Sequence, residues 1–247
     1  MKILLNGCLG RMGRAVTELA PTRGAEVVAG VDVADAACAY PVATAWSGLP
    51  AADAVIDFSN PSALAAELEY VTAHGLPLVL CTTGLSAEQL EAVHKAAETV
   101  PVFMSSNMSL GVAVLSALTQ KAAAILGDTF DIEIVEMHHN QKLDAPSGTA
   151  LMLADAAKAG LSYEAEYTYD RHTRRQKRDK KEIGIAALRG GTVVGEHSVY
   201  FAGEQEVITL SHSAGSRSVF AAGALTAAAF LQGKPAGMYS MEDIFND

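Results

Sequence analysis

The hydrophobic pattern of the first hundred residues switches repeatedly between short continuous runs and a helical period. Lys2–Asn6 is a short apolar run that ends in glycines. Arg11–Ala20 sets Met12, Val16 and Leu19 on one side, the spacing of an amphipathic helix. Glu26–Val31 is rich in β-branched residues and stops at Asp32, and Ala54–Phe58 reads as another buried strand. Asn60-Pro61 then suits a helix start with proline at its first position. A helix over 62–74, a strand over 77–80, a helix over 86–98 opened by Ser86-x-Glu88, and a strand over 102–104 complete the series. Such βα alternation predicts a parallel sheet with helices on both faces.

After Asn107 the pattern changes. A helix over 110–126 precedes an alternating strand over 131–137 and a helix over 147–159. Three strands over 183–189, 192–200 and 206–211 follow, joined by glycine-bearing turns, and an alanine-rich helix over 217–231 comes last. Strands joined by short turns call for a mixed or antiparallel sheet. The expected fold is therefore α/β: a Rossmann-type, doubly wound parallel sheet plus a second, α+β domain with a mixed or antiparallel sheet.

Composition narrows the class. Of 247 residues, 50% are apolar and 19% charged, which excludes a disordered chain. The net charge of −10 argues against nucleic acid or an anionic membrane as partner. Cys8, Cys38 and Cys81 form no CxxC pair, so neither a disulfide scaffold nor a structural zinc site is expected, and a reducing cytosol suits them. Ile3-Leu4-Leu5 is too short for a signal-peptide core, and Val219–Leu231, read as the longest bland stretch, falls short of a membrane span. A soluble, cytoplasmic protein is expected.

The first turn reads Gly7-Cys8-Leu9-Gly10-Arg11-Met12-Gly13. Glycines let a backbone turn tightly against a pyrophosphate, whose charge then rests on the next helix N-terminus. Asp32 stands 19 residues after Gly13, where a carboxylate takes the ribose hydroxyls of a dinucleotide. A carboxylate there disfavours a 2′-phosphate, so NADH is expected over NADPH, with dual use open because Arg11 lies in the same loop. Cys81-Thr82-Thr83 and Ser105-Ser106-Asn107-Met108 follow later strands and are candidates for the nicotinamide half; read alone, each is only a turn.

The densest chemistry is Glu136-Met137-His138-His139-Asn140-Gln141-Lys142-Leu143-Asp144-Ala145-Pro146-Ser147-Gly148-Thr149-Ala150. A histidine can move a proton near neutral pH, a lysine can hold an anion, and a helix opened by Ser147-Gly148-Thr149 offers backbone N–H groups to a carboxylate. A metal at His138-His139 lacks companion ligands at helical spacing, and a purely structural histidine pair is the other alternative. Together these residues describe a pocket for a small acidic substrate, with no metal.

This segment resembles the signature E-x-H-H-x-x-K-x-D-x-P-S-G-T-A of the dihydrodipicolinate reductase family (4-hydroxy-tetrahydrodipicolinate reductase). The resemblance extends over Gly7–Gly13, Asp57–Ser59, Thr82–Gly84, Asn107–Gly111, Arg189–His197 and Ser216–Ala224, nearly the whole chain. It implies NAD(P)H-dependent reduction of a cyclic dicarboxylate to tetrahydrodipicolinate in the diaminopimelate and lysine pathway, with hydride to ring C4 and overall loss of water. It further implies His138 as proton donor, Lys142 as the assisting and substrate-binding lysine, and His139, Ser147, Gly148 and Thr149 as substrate-binding positions. The same likeness implies a dinucleotide-binding domain of 1–107 and 217–247, a substrate-binding and oligomerisation domain of 108–216, and a homotetramer assembled through the second domain's sheet. Cys81 replaces a frequent glycine, and Asn140-Gln141 are less basic than usual. Two other readings are another Rossmann reductase of a small acidic metabolite and a non-catalytic nucleotide sensor.

Charge distribution adds one more feature. Asp170–Lys181 holds seven of the 18 basic residues, and without it the remainder carries 11 basic against 26 acidic residues. This run is either a solvated loop or a flap that steers the dicarboxylate.

Overall fold

The computed structural model describes residues 1–169, 171–172 and 174–245, so Asp170, at the head of the basic run, and the last two residues of the expected 217–247 segment lie outside the described residues. In chain order the first elements are β1 (Lys2–Asn6), α1 (Arg11–Leu19), β2 (Glu26–Val31), β3 (Val42–Ala43), β4 (Ala54–Asp57), α2 (Leu64–His74), β5 (Leu78–Leu80), α3 (Ala87–Ala97) and β6 (Pro101–Met104). Next come α4 (Leu110–Leu126), β7 (Asp131–His138), α5 (Gly148–Gly160), β8 (Glu166–Thr168), β9 (Glu182–Arg189), β10 (Gly195–Ala202) and β11 (Val207–Ala214). The series ends with α6 (Ser218–Phe230), β12 (Gly237–Tyr239) and α7 (Met241–Phe245). The chain forms two compact units, Met1–Ser109 with Arg217–Asp247, and Leu110–Ser216.

The first unit is built on a seven-stranded parallel sheet of order β12-β6-β5-β4-β1-β2-β3. Its apolar strands are buried on both faces, with Leu4, Val55, Leu78, Leu80 and Val102 packed against Leu68, Val71 and Val93 of the helices. Strand order reverses at β1, where β2 and β4 flank it, and that switch point is where a doubly wound sheet opens a ligand crevice. Helix α3 starts with a capping box: Ser86 Oγ accepts from the Gln89 N–H, and Gln89 Oε1 from the Ser86 N–H. The expected Ser-x-Glu start is thus a reciprocal Ser-x-x-Gln pair, with Glu88 accepting from the Ser86 hydroxyl at 2.7 Å. Helix α6 lies in this unit so closely that a methyl group on Gly223 would meet the Met108 carbonyl oxygen at 1.6 Å.

The second unit carries a five-stranded mixed sheet of order β11-β10-β7-β9-β8, in which β7 runs parallel to β9 and antiparallel to β10. Ile132, Ile134, Ile183, Ile185, Val199 and Phe201 pack from the sheet onto Leu115, Ala123, Leu153 and Ala157 of α4 and α5. Two sequence expectations need correction here. With the turn that follows it, α4 reaches Thr129 and is as long and as apolar as a membrane span requires, so Val219–Leu231 is not the longest bland stretch; Val112, Leu115, Thr119 and Ala123 of α4 are buried, while Val114, Leu118 and Ile125 are exposed. The strand expected from Thr192 begins only at Gly195, because the Val193 carbonyl accepts from the His139 N–H at 2.7 Å instead of joining a ladder.

Three arginines of the basic run are tied down. Arg178 donates to Asp131 and Glu133 at 3.0 Å each and to the Ile132 carbonyl at 2.9 Å, while Arg171 and Arg174 pair with Glu182. These three arginines serve the sheet rather than an incoming anion.

Candidate active site

In the first unit, the loop after β1 turns tightly on its glycines. Gly7 has φ +76°, and a Cβ there would lie 2.5 Å from the Phe58 carbonyl oxygen; one on Gly13 would lie 2.4 Å from the Gly7 oxygen. Only glycine fits this turn. No side chain caps the start of α1 at Gly10, so its first N–H groups remain available to an anion. Asp32 follows β2 and accepts from the Leu9 N–H at 2.9 Å and the Val33 N–H at 2.8 Å, which holds the loop while leaving carboxylate lone pairs for a diol. A cleft of about 620 Å³ opens there, lined by Gly7, Leu9, Gly10, Asp32, Trp46 and Ser59, among others.

The remaining residues singled out for the dinucleotide fall into three groups. Arg11 is exposed and Met12 half-buried on the first turn of α1. Cys8 is 1% exposed and Met108 3%, so their side chains belong to the core and only their backbone can serve a ligand. Burial also pushes the Cys8 thiol up to about 11, with Asp32 adding to it, which makes this sulfur a filler rather than a reactive group. Cys81, Thr82 and Thr83 follow β5, and Ser105, Ser106 and Asn107 follow β6, both at carboxyl ends of the parallel sheet but outside the lining of the cleft. Trp46 and Asn60, which also line it, carried no sequence signal as ligand residues: Trp46 lies on an irregular loop, and Asn60 reads as a helix start, its Oδ1 accepting from the Ser62 N–H at 3.0 Å.

The second unit gathers the polar cluster at one end of its sheet. Burial alternates along β7, with Ile132, Ile134, Glu136 and His138 facing inward. Glu136 is fully buried. Its Oε2 lies 2.6 Å from His138 Nδ1 and 2.9 Å from one Arg189 nitrogen, while Oε1 accepts from the other at 2.8 Å and from the Ser147 N–H at 3.0 Å. Burial raises the Glu136 carboxyl, but the Arg189 fork and His138 outweigh it and hold the group below the usual carboxylate value. Burial lowers His138; Glu136 opposes this, and Lys142 and Arg189 add to the lowering.

Ser147 caps α5, its Oγ accepting from the Ala150 N–H at 3.1 Å, and the same oxygen lies 3.0 Å from His197 Nε2. His197 crosses the His138 ring edge-on at 5.1 Å between centroids. Burial first, then the neighbouring His138, pushes His197 down to about 4. Gly148 is exposed and Thr149 half-buried on the first turn of α5. Lys142 Nζ pairs with Asp144 at 2.9 Å, and His139 is half-buried with its backbone N–H on the Val193 carbonyl. Among the described residues no group of three His, Cys, Asp or Glu side chains is placed to hold a metal ion.

His138, Lys142 and the Ser147 helix start thus share one end of one sheet. Glu136, Arg189 and His197 join them although sequence reasoning gave them no role. Their signal was a charged or imidazole side chain at an inward strand position.

A Rossmann unit with a glycine-rich first turn, and a second unit with an imidazole beside a lysine and a helix start, have the features of a nicotinamide-dependent reductase. The comparisons carry this to a family. The dihydrodipicolinate reductase N-terminus matches residues 1–108, and the C-terminus of the same family matches residues 111–245. The 4-hydroxy-tetrahydrodipicolinate reductase of Caldanaerobacter subterraneus subsp. tengcongensis is 50% identical over 99% of this chain and 98% of its own. That of Clostridium tetani is 47% identical over 100% and 97%. A dipicolinate-bound dihydrodipicolinate reductase from Paenisporosarcina sp. TG-14 superposes with a TM-score of 0.81 at 25% identity, covering 99% of both chains. The chain belongs to the dihydrodipicolinate reductase family. It is an NAD(P)H-dependent oxidoreductase of lysine and diaminopimelate biosynthesis.

Proposed function

We propose that the chain reduces 4-hydroxy-tetrahydrodipicolinate to tetrahydrodipicolinate, with hydride delivered to ring C4 and water lost overall. Bound NAD(P)H supplies the hydride. Gly7, Gly10 and the uncapped start of α1 at Arg11 and Met12 hold its pyrophosphate, and Asp32 takes the adenosine ribose. Asp32 also makes NADH the preferred donor, by repelling a 2′-phosphate. The turns at Cys81–Thr83 and Ser105–Met108 serve the nicotinamide half.

His138 donates the proton from Nε2, since its Nδ1 is engaged by Glu136 at 2.6 Å. Lys142, with His139, holds the dicarboxylate, and the start of α5 at Gly148 and Thr149 binds a carboxylate, with Ser147 contributing its hydroxyl because its N–H is held by Glu136. One observation carries this reading: a nearly buried imidazole, 8% exposed, oriented through one ring nitrogen and set beside a capped helix start. Residues 1–107 with 217–247 act as the nucleotide domain and residues 108–216 as the substrate and assembly domain. The assembly is a homotetramer formed through the sheet of residues 108–216, and the compartment is the cytoplasm.

The decisive experiment is His138→Ala, assayed on freshly generated substrate with NADH and NADPH. Turnover falls on the order of 10² to 10⁴, as for loss of a general acid, while nucleotide binding survives. Undiminished turnover removes His138 from the reaction, and faster initial rates with NADPH reverse the cofactor preference.

A further inference from the structure

We propose that Glu136 is a positioning residue that couples the proton donor to the carboxylate-binding helix start, with Arg189 clamping it between them. The proposal rests on the assignment of His138 as proton donor.

A fully buried carboxylate is expensive unless its charge is paired and its lone pairs are used. Glu136 meets both conditions. Each oxygen takes one nitrogen of the Arg189 fork and one further donor, His138 Nδ1 on Oε2 and the Ser147 N–H on Oε1. Four donors fill the capacity of a carboxylate, so none remains for substrate. Its role is exerted through other residues.

Two consequences follow from which donors those are. Because Nδ1–H is given to Glu136, the neutral His138 ring carries its hydrogen on Nδ1, and the proton it delivers when charged is the one on Nε2. Because Oε1 holds the Ser147 N–H, the same carboxylate sets where α5 begins. Arg189 also donates to the Asp144 carbonyl at 2.6 Å, tying the loop that carries Lys142 to the same clamp. Proton donor, lysine loop and helix start therefore hang on one buried ion pair.

The groups facing His138 set the sign of the effect. They are Glu136 on β7, Lys142 on the loop after it, Arg189 on β9 and His197 on β10. Only Glu136 favours the charged ring. Replacing it with glutamine leaves burial and two cations acting alone, so protonated His138 is lost at a lower pH.

The test is kcat and KM against pH for the full-length wild type, Glu136→Gln, His138→Ala and the double variant, with 15N shifts of the His138 ring in the wild type. In Glu136→Gln the expected outcome is a kcat lower by roughly ten- to a hundredfold, a higher KM, and an alkaline decline displaced to lower pH. Added to His138→Ala, the same change costs little more in kcat, because the positioned ring is already gone. In the wild type the neutral ring is protonated at Nδ1. An unmoved pH profile, an equal loss in both backgrounds, or a neutral ring protonated at Nε2 overturns the proposal. Should Glu136→Gln fail to fold, the wild-type tautomer decides alone. If His138→Ala keeps full activity, the proton-donor reading fails, and the tautomer still judges the clamp by itself.

Discussion

A single methyl group added at Gly195 would crowd the atom from which His138 is proposed to act. Gly195 opens β10 at the level of His138, and a Cβ built there lies 3.0 Å from His138 Nε2, 3.4 Å from its Cδ2 and 3.8 Å from His197 Cε1. The backbone of Gly195 is outside the left-handed region, so alanine is conformationally acceptable and only the contact matters. The ring has to give by a few tenths of an ångström, and its 2.6 Å bond to Glu136 resists the shift. That displacement is smaller than a 30° rotamer distortion, so Gly195→Ala costs less than about 1 kcal/mol of stability. A misplacement of about 1 Å is worth on the order of 10² in rate, so a few tenths should lower kcat roughly tenfold, or about 1.4 kcal/mol in the barrier. Gly190→Ala is the control: its Cβ meets only the mobile Met137 methyl, at 3.1 Å, and kcat stays close to wild type. The assay is steady-state turnover at saturating NADH, with urea unfolding to check stability. A Gly195→Ala enzyme with unchanged kcat would refute proton delivery from Nε2 on that side of the ring.

Three further outcomes are expected. His197 ionises at about 4 in the folded chain against an ordinary value near 6.5, so the unfolded state binds the extra proton between those values and stability falls as pH drops through that window. The loss from pH 7 to pH 5 is about 2 kcal/mol, read by chemical denaturation and reduced in His197→Gln; an equal loss in both chains would sink the assignment. Gly13→Ala forces a methyl onto the Gly7 carbonyl oxygen and should abolish quenching by NADH of the single tryptophan, Trp46, which lines the cleft; quenching at wild-type concentrations would mean the loop does not hold the pyrophosphate. Since Arg171, Arg174 and Arg178 are committed to acidic partners, any steering of the dicarboxylate falls to the exposed Arg175 and Lys177, so Arg175→Gln with Lys177→Gln should raise the substrate KM at low salt, and an unchanged value rejects the steering flap.

Much of this fold was legible because its elements are long and locally consistent. The ends expected for β1, β2 and α4 coincide with those observed, Lys2–Asn6, Glu26–Val31 and Leu110–Leu126. The strands without a sequence signal are short. Val42–Ala43, Glu166–Thr168 and Gly237–Tyr239 are edge strands of two or three residues, too few for a period to register, and they exist because a neighbouring strand offers a ladder. The Val42–Ala43 edge, for instance, is secured by the Asp32 N–H on the Ala43 carbonyl at 3.0 Å.

The site was half legible for a different reason. His138, Lys142 and Ser147 are near neighbours in sequence, so their chemistry could be read in one line. Glu136 and Arg189 are 53 residues apart and meet only because β7 and β9 pair in register, placing His138 opposite Arg189. Along β7 the inward face runs Ile132, Ile134, Glu136, His138, while Val135 and Met137 turn outward. Polarity therefore inverts halfway along the strand, and the same inversion occurs on β10, where Phe201 and Val199 give way to His197. A core strand has no packing reason to turn a carboxylate inward, and the desolvation cost falls only when a cation arrives from another strand. Such an inversion at the same end of two adjacent strands marks where packing stops and chemistry begins, and it can be sought in the sequence of any strand whose inward face is otherwise apolar.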